Sequence, residues 1–335
     1  MVTITIDDKK IGDGHNTYFV AEAGLNHNGD VKTAKKMIEA AYECGVDAIK
    51  FQTYKAESFL SESSQYFKFF KDVELDFEEF GELKDYSKSV GITFFSAPFD
   101  IESADYLKKI NVPCFKIASA DLTNTPLLSH IAKMNLPMII STGLATMQEI
   151  REAVEVCNYN GNRNLALLHC VANYPTEPDE TNMYSIKTMK EKFGIPIGYS
   201  DNGDSTLVDL VAASIGADII EKHFTLDRKM PGPDHFFSID PSSLKNLVGQ
   251  IRTIEKIRGN GVKIPQQSEI NNRNAIRKSL TAATKIRKGD SITELSILVK
   301  RPATGIEPKY FTKVIGKKVN KDIEKDTPIT WNDFD

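Results

Sequence analysis

The 335-residue sequence predicts an α/β protein in which eight parallel strands, each followed by a helix, close into a barrel with a small, mostly β domain appended. Three observations carry that prediction. Eight short apolar runs alternate with amphipathic helical stretches as far as Arg258. Polar or charged side chains stand at the C-terminal end of each run. Beyond Arg258 the pattern gives way to short strand-like segments separated by Gly- and Asp-containing turns.

Residues 1–16 alternate in Thr3-Ile4-Thr5-Ile6 and turn at Asp7-Asp8, which reads as a small hairpin leading into the barrel. The first barrel run is Tyr18–Gly24, followed by a polar turn and a helix over Val31–Cys44. The later runs are Ala48–Gln52, Ile92–Pro98, Cys114–Ser119, Met138–Thr142, Leu165–Cys170, Ile195–Ser200 and Asp218–Leu226. Their branched, unbroken apolar character is that of strands buried on both faces. Between them, helical periodicity covers 77–89, 101–110, 126–134, 147–157, 183–192 and 206–215, with a last helix from Pro241 to about Ile257. Eight such units over 17–258 are the count of a TIM (β/α)8 barrel. The long connection 54–76, with Phe67, Phe69 and Phe70, reads as an insertion over the barrel mouth. Residues 259–276 have the composition of a linker. In 277–335, short strands are expected at Ser279–Ala283, Ile292-Thr293, Ile297–Arg301 and Val314–Val319. A domain of that size is small for independent stability and is expected to lean on a partner surface.

A formal charge of −4 with 41% hydrophobic residues is ordinary for a globular protein and argues against nucleic-acid or anionic-membrane partners. The N-terminus lacks a basic, apolar leader and no run is long enough to span a bilayer, so a cytoplasmic protein is expected. Cys44, Cys114, Cys157 and Cys170 lack metal-ligand spacing and read as reduced, buried thiols.

The chemistry lies at the strand ends, the face on which barrels of this kind build active sites. In order they carry Glu22, Lys50 with Gln52, Ser96, Lys116 with Ser119, Ser141 with Thr142, and His169 with Tyr174 just beyond. Ser200 with Asp201 and Glu221 with His223 follow, and a Pro- and Gly-rich loop adds Asp234 and His235. Lys50 and Lys116 interrupt apolar runs. A buried ammonium needs an anion, so two converging lysines point to a phosphate or carboxylate substrate. Internal pairing with Glu22, Asp121 or Glu221 is one alternative use of these lysines, and a Schiff base on one of them is another. Gly24–Gly29 lacks phosphate-loop spacing and leaves Asn26 and His27 as minor candidates.

Together, Glu22-Ala-Gly-Leu-Asn-His-Asn-Gly, Lys50-Phe-Gln, Lys116-Ile-Ala-Ser, Ser141-Thr-Gly, His169-Cys, Tyr174-Pro, Gly198-Tyr-Ser-Asp, Glu221-Lys-His-Phe-Thr and Gly232-Pro-Asp-His resemble the sialic acid (N-acetylneuraminate) synthase family. Arg277-Lys-Ser-Leu, Lys288-Gly-Asp and Lys300-Arg-Pro-Ala-Thr-Gly are similar to that family's antifreeze-like (SAF) C-terminal domain. The resemblance implies a metal-dependent condensation of phosphoenolpyruvate with an N-acylated aminosugar, foremost N-acetylmannosamine, giving a nine-carbon 2-keto acid. It implies that Lys50, Lys116, Ser119, Ser141 and Ser200 hold phosphoenolpyruvate, and that Gln52, Tyr174, Asp234 and Glu22 face the sugar. It also implies Glu22, Lys50, Lys116 and Glu221 as the catalytic set, and His223 as a metal ligand. A homodimer is implied, with each C-terminal domain over its partner's barrel and Arg301 at the sugar's acyl group. Where the family has a second ligating histidine this chain has Asn202, so either that amide or a neighbouring carboxylate, Asp201 or Asp204, stands in for it, or metal affinity is reduced. An amide oxygen is the harder donor and suits Mn²⁺ or Mg²⁺ better than zinc. Legionaminic- or pseudaminic-type synthesis, a Schiff-base aldolase and a non-catalytic sugar-binding barrel are the other readings.

Overall fold

The computed structural model describes residues 2–335 as two compact units, one ending at Gly259 and the other beginning at Asn260. The first unit opens with β1 (Ile4–Ile6) and β2 (Lys9–Ile11), paired antiparallel with Ile4 opposite Ile11. Asp7 takes a positive φ of 50° in the turn between them, a conformation aspartate tolerates better than most residues.

Eight parallel strands follow and close into a barrel. They are β3 (Tyr18–Gly24), β4 (Ala48–Thr53), β5 (Thr93–Pro98), β6 (Phe115–Ile117), β7 (Met138–Ser141), β8 (Leu165–His169), β9 (Ile197–Asp201) and β10 (Ile219–His223). The ring closes between β10 and β3, with His223 beside Glu22. The outer layer comprises α1 (Val31–Glu43), then α2 (Ala56–Phe59) and α3 (Phe67–Asp72) in the insertion, then α4 (Phe77–Val90) and α5 (Ile101–Lys109). It continues through α6 (Thr125–Lys133), α7 (Met147–Tyr159), α8 (Tyr184–Phe193), α9 (Thr206–Ser214) and α10 (Pro241–Arg258). Side-chain caps set several starts: Asp30 accepts from the Lys32 and Thr33 amides, Thr146 and Glu149 form a capping box, and Asp240 precedes Pro241 at the first turn of α10.

Period-two alternation divides each strand between two cores. Outward residues such as Phe19, Phe51, Phe94, Phe115 and Tyr199 pack under the helices. Inward residues of the strand beginnings, including Tyr18, Val20, Ala48, Phe95 and Cys114, form one buried cluster with Ile4, Ile6 and Ile11. The hairpin therefore fills the N-terminal end of the barrel. Gly198 of β9 leaves room there: a Cβ would stand 2.4 Å from the Ile219 carbonyl oxygen and 2.6 Å from Leu168 Cδ2.

The insertion 54–76 is folded around its own small core. Leu25, Tyr54, Ala56 and Val73 are buried together with Phe59, Phe67, Phe69, Phe70 and Phe99 against them. The Tyr54 hydroxyl donates to the Phe70 carbonyl at 2.9 Å.

From Gly259, the last residue of the first unit, into the second, 259–276 differs from the linker expected of it. Gln267–Ile276 is a helix, α11, with a capping box between Gln266 and Glu269. None of its residues is buried, so no apolar stripe announced it. Next come β11 (Ser279–Ala282) and β12 (Ile297–Lys300), paired antiparallel, and the single turn α12 (Phe311–Val314). The strands expected at Ile292-Thr293 and Val314–Val319 do not form. Gly316, at φ 79°, breaks the second one, leaving isolated bridges at Lys318 and Val319. Ile292 and Val319 are nevertheless buried with Leu280, Ile297, Ile306 and Ile329 in a core of their own.

Candidate active site

The C-terminal ends of the strands present their inward side chains to a common mouth. Lys50 of β4 is the hub: its Nζ lies 2.7 Å from Glu22 Oε2, a close ion pair without hydrogen-bond alignment, and 3.5 Å from Glu221 Oε1. Lys116 Nζ approaches the same Glu221 oxygen at 3.6 Å and donates to Ser141 Oγ at 2.6 Å. Ser200 Oγ donates to Glu221 Oε1 at 3.1 Å, and Gln52 Nε2 to Glu22 Oε1 at 3.0 Å. Internal pairing of the lysines is thus real for Glu22 and Glu221. Asp121 is elsewhere, accepting from Asn124.

These groups are buried, and their pKa values diverge. Burial raises Glu22, with the Lys50 ammonium opposing it. Burial also acts to raise Glu221, but the charges of Lys116, Lys50 and His223 outweigh it and the net shift is downward. Burial acts to lower Lys50, but Glu22 and Glu221 reverse that and raise it, whereas Lys116 is lowered by burial. The pair therefore contains one firmly charged ammonium and one made more labile by desolvation.

One pleat repeat nearer the opening stand Gln52 and His223. His223 Nδ1 is buried, has no hydrogen-bond partner and lies 3.9 Å from Asp234 Oδ2. Burial lowers the His223 pKa and raises that of Asp234. The rings of Tyr174 and Phe237 pack on the imidazole at 5.9 and 5.1 Å. Gly24 sits among Asp234, Glu22 and Gln52; a Cβ there would make only ordinary contact, 3.5 Å from Asp234 Oδ2 and 3.6 Å from Glu22 Oε1, so it is the positive φ of 52° that favours glycine. Asn26 and His235 brace the loop that carries Asp234. Asn26 Nδ2 donates to the Phe224 carbonyl and Ser238 Oγ, and His235 Nδ1 pairs with Thr225 Oγ1 at 2.7 Å.

Ser119 follows β6 in a tight turn, where the Gly143 amide points at both Ser119 Oγ and Cys170 Sγ, 3.1 Å from each. Asn202 is buried just past β9, its Nδ2 donating to the Val171 carbonyl at 2.7 Å. Arg301 lies outside this unit, directly after β12, and is exposed.

Three residues read as mouth-lining face the other way. Ser96 bonds Thr53 Oγ1 at 2.7 Å on the outward face, His169 Nε2 bonds the Thr181 carbonyl at 2.7 Å, and Asp201 pairs with Lys222. Their position within the pleat decides this: each is one residue out of phase with the inward set. Conversely, sequence reasoning missed Cys170 as a neighbour of Ser119, and the buried contacts that Asp201 and Asp209 make with Lys222. Strand phase would have revealed the outward turn of Lys222; nothing in the spacing marks Asp209 as its partner.

Among the described residues, no three His, Cys, Asp or Glu side chains are grouped to hold a metal. A neutral imidazole with a buried, unpartnered nitrogen is nevertheless a ligand in waiting. The Asp234 carboxylate 3.9 Å away adds an oxygen donor beside it, and Asn202 stands just past the end of the adjoining strand β9.

The sequence pattern of the NeuB family matches residues 37–263, and that of the SAF domain matches 277–335. The chain is 38% identical over 341 residues to the N,N'-diacetyllegionaminic acid synthase of Legionella pneumophila, covering 96% of each chain. It is 40% identical over 326 residues to the enzyme of that name from Campylobacter jejuni, covering 92% of this chain and 98% of the relative. Among solved structures, the N-acetylneuraminic acid (sialic acid) synthetase of Leptospira borgpetersenii, in complex with citrate, matches with a TM-score of 0.78 at 40% identity, covering 82% of this chain and 97% of that one. With family patterns matched over 37–263 and 277–335 and relatives aligned along nearly the whole chain, the chain belongs to the NeuB family of sialic, legionaminic and pseudaminic acid synthases.

Proposed function

We propose that the mouth condenses phosphoenolpyruvate with an N-acylated aminosugar, forming a nine-carbon 2-keto acid and releasing phosphate. The observation that carries this reading is the stacking of two layers. Lys50 and Lys116 meet Glu221 in one layer, and the unpartnered His223 with Asp234 and Gln52 forms the next.

Lys50, Lys116, Ser119, Ser141 and Ser200 hold the carboxylate and phosphate of phosphoenolpyruvate in the deeper layer. Glu22, whose pKa burial raises, is the carboxyl suited to take up a proton when that anion arrives, freeing Lys50 to face the substrate. Gln52, Tyr174 and Asp234 orient the open-chain sugar above it, with Glu22 at the boundary. C3 of phosphoenolpyruvate bonds to the sugar aldehyde carbon, water adds at C2, and phosphate leaves by C–O cleavage as the ketone forms. The two lysines balance the anionic charge through these steps, and Glu221 holds them in register. A divalent ion at His223, Asp234 and Asn202 would supply polarisation of the aldehyde oxygen. In a homodimer, Arg301 reaches the acyl group from the C-terminal domain of the partner protomer. The four free, buried cysteines suit a reducing cytoplasm, and no described helix is long and apolar enough to cross a membrane.

For the acceptor, relatives named legionaminic acid synthases, at 38% and 40% identity over nearly the whole chain, favour the 6-deoxy diacetamido sugar over N-acetylmannosamine. The Leptospira structure, a sialic acid synthetase, keeps N-acetylmannosamine as the second reading. The test is phosphate release with Mn²⁺, phosphoenolpyruvate and a panel of both sugars and their altrose isomers. Turnover with none of them would leave a non-catalytic sugar-binding barrel, and a borohydride-trapped adduct on Lys50 or Lys116 would make it an aldolase.

A further inference from the structure

Lys222 sits between Glu221 and His223, and strand alternation sends it away from the mouth, against α9. There its ammonium meets Asp201 at the tip of β9 and Asp209 of α9, the latter at 3.1 Å. All three side chains are buried, 2% exposed for the lysine and 0% for each carboxylate. The ammonium also donates to the Gly203 carbonyl at 3.1 Å, while Asp201 Oδ1 accepts from the Gly203 amide at 2.9 Å. One ion cluster thus holds both backbone polar groups of Gly203. The turn has no slack: a Cβ on Gly203 would stand 2.8 Å from the Thr176 carbonyl oxygen. The neighbouring Asn202 is tied on its other side, donating to Val171 and accepting from the Thr176 amide at 3.1 Å.

Joining a helix to a barrel strand through buried charge is costly, and apolar side chains of the same volume often serve stability as well or better. Such a cluster is better explained by the geometry it imposes. We infer that Lys222, Asp201 and Asp209 are positioning residues for the sugar side of the mouth. They fix the Asn202–Gly203 turn and, through the adjoining peptide of β10, the His223 imidazole. This inference rests on the proposed condensation. The cluster sits at β9, β10 and α9, sharing those strands with Ser200 and Glu221, whereas Lys50, Lys116, Ser119 and Ser141, four of the five groups assigned to phosphoenolpyruvate, stand on or just after β4, β6 and β7. Its loss therefore acts unequally on the two substrates.

The test compares wild type, Lys222→Met, Lys222→Arg and Asp209→Asn as full chains. Asp209→Asn keeps the Lys222–Asp201 contact and guards against a misfolded Lys222→Met. Folded variants, checked by thermal unfolding, are expected to bind phosphoenolpyruvate alone within about twofold of wild type and to lose about thirtyfold in kcat/KM for the sugar. Lys222→Arg is expected to recover part of that loss. Sugar kcat/KM within about threefold of wild type in every folded variant, equal losses toward both substrates, or failure of both Lys222→Met and Asp209→Asn to fold would overturn the inference. The His223 imidazole resonance, assigned with His223→Gln, reads the geometry without turnover. It moves in Asp209→Asn if the cluster holds the ring and stays in place if it does not. Wild type that turns over no sugar but shows this shift would count against the condensation and leave the positioning role standing.

Discussion

Lys116 Nζ donates to Ser141 Oγ at 2.6 Å, tying the inward faces of neighbouring strands β6 and β7 at the bottom of the mouth. The serine orients the ammonium that burial has made more labile, and on the proposed assignment the two hold one ligand. Lys116→Ala is expected to lower kcat at least about a thousandfold, and Ser141→Ala to raise the KM for phosphoenolpyruvate about tenfold. Phosphate-release kinetics check both. Normal turnover by Lys116→Ala would remove its assigned role.

On the proposed reading, the donors at His223 take an added metal. Chelation is expected to stop phosphate release, with Mn²⁺ or Mg²⁺ restoring it. Asn202→His, by offering an imidazole in place of an amide, is expected to lower the Mn²⁺ concentration for half-maximal rate about tenfold. A metal titration of both proteins decides it.

Arg301→Ala is expected to raise the KM for the sugar about tenfold while leaving kcat and the KM for phosphoenolpyruvate unchanged. Such a pattern marks an interaction made equally in the ground and transition states. A fall in kcat alone would place Arg301 in a different role.

His27 is expected to make stability depend on pH. Burial lowers its pKa from 6.5 to about 4, and its Nδ1 accepts from the Gly29 amide at 3.1 Å. Between about 4 and 6.5 the unfolded chain binds the proton more readily, so stability rises with pH across that window. Below it the folded state carries the full penalty, about 3 kcal/mol. Above it there is none. In urea unfolding at several pH values, His27→Asn is therefore expected to narrow its stability deficit relative to wild type as the pH falls.

Gly198→Ala is expected to destabilise the protein by about 3 kcal/mol, because its Cβ would meet a backbone carbonyl on the next strand as well as Leu168. Chemical denaturation measures this directly.

The barrel was legible in the sequence because buried parallel strands are written as unbroken apolar runs, and all eight appear where those runs lie. Lys50, Lys116 and Glu221 were legible for the complementary reason: a charge inside such a run has to be answered by something. Ser96, His169 and Asp201 were misread because a polar residue near a strand end was taken to face the mouth whatever its phase in the pleat. The partnership of Lys222 with Asp209 is tertiary, between a strand and a helix, and leaves no trace in spacing. Helix α11 escaped because all its residues are exposed and it carries no apolar stripe.

The isoleucine-packed hairpin gives the barrel a floor as well as a mouth. Lys50 and Glu221 lie two residues below Gln52 and His223, about 7 Å along the strands. A site closed below and filled from above in two levels would work as last in, first out. On the proposed assignment the small acid has to settle before the sugar arrives, and a sugar analogue occupying the upper level traps the acid beneath it.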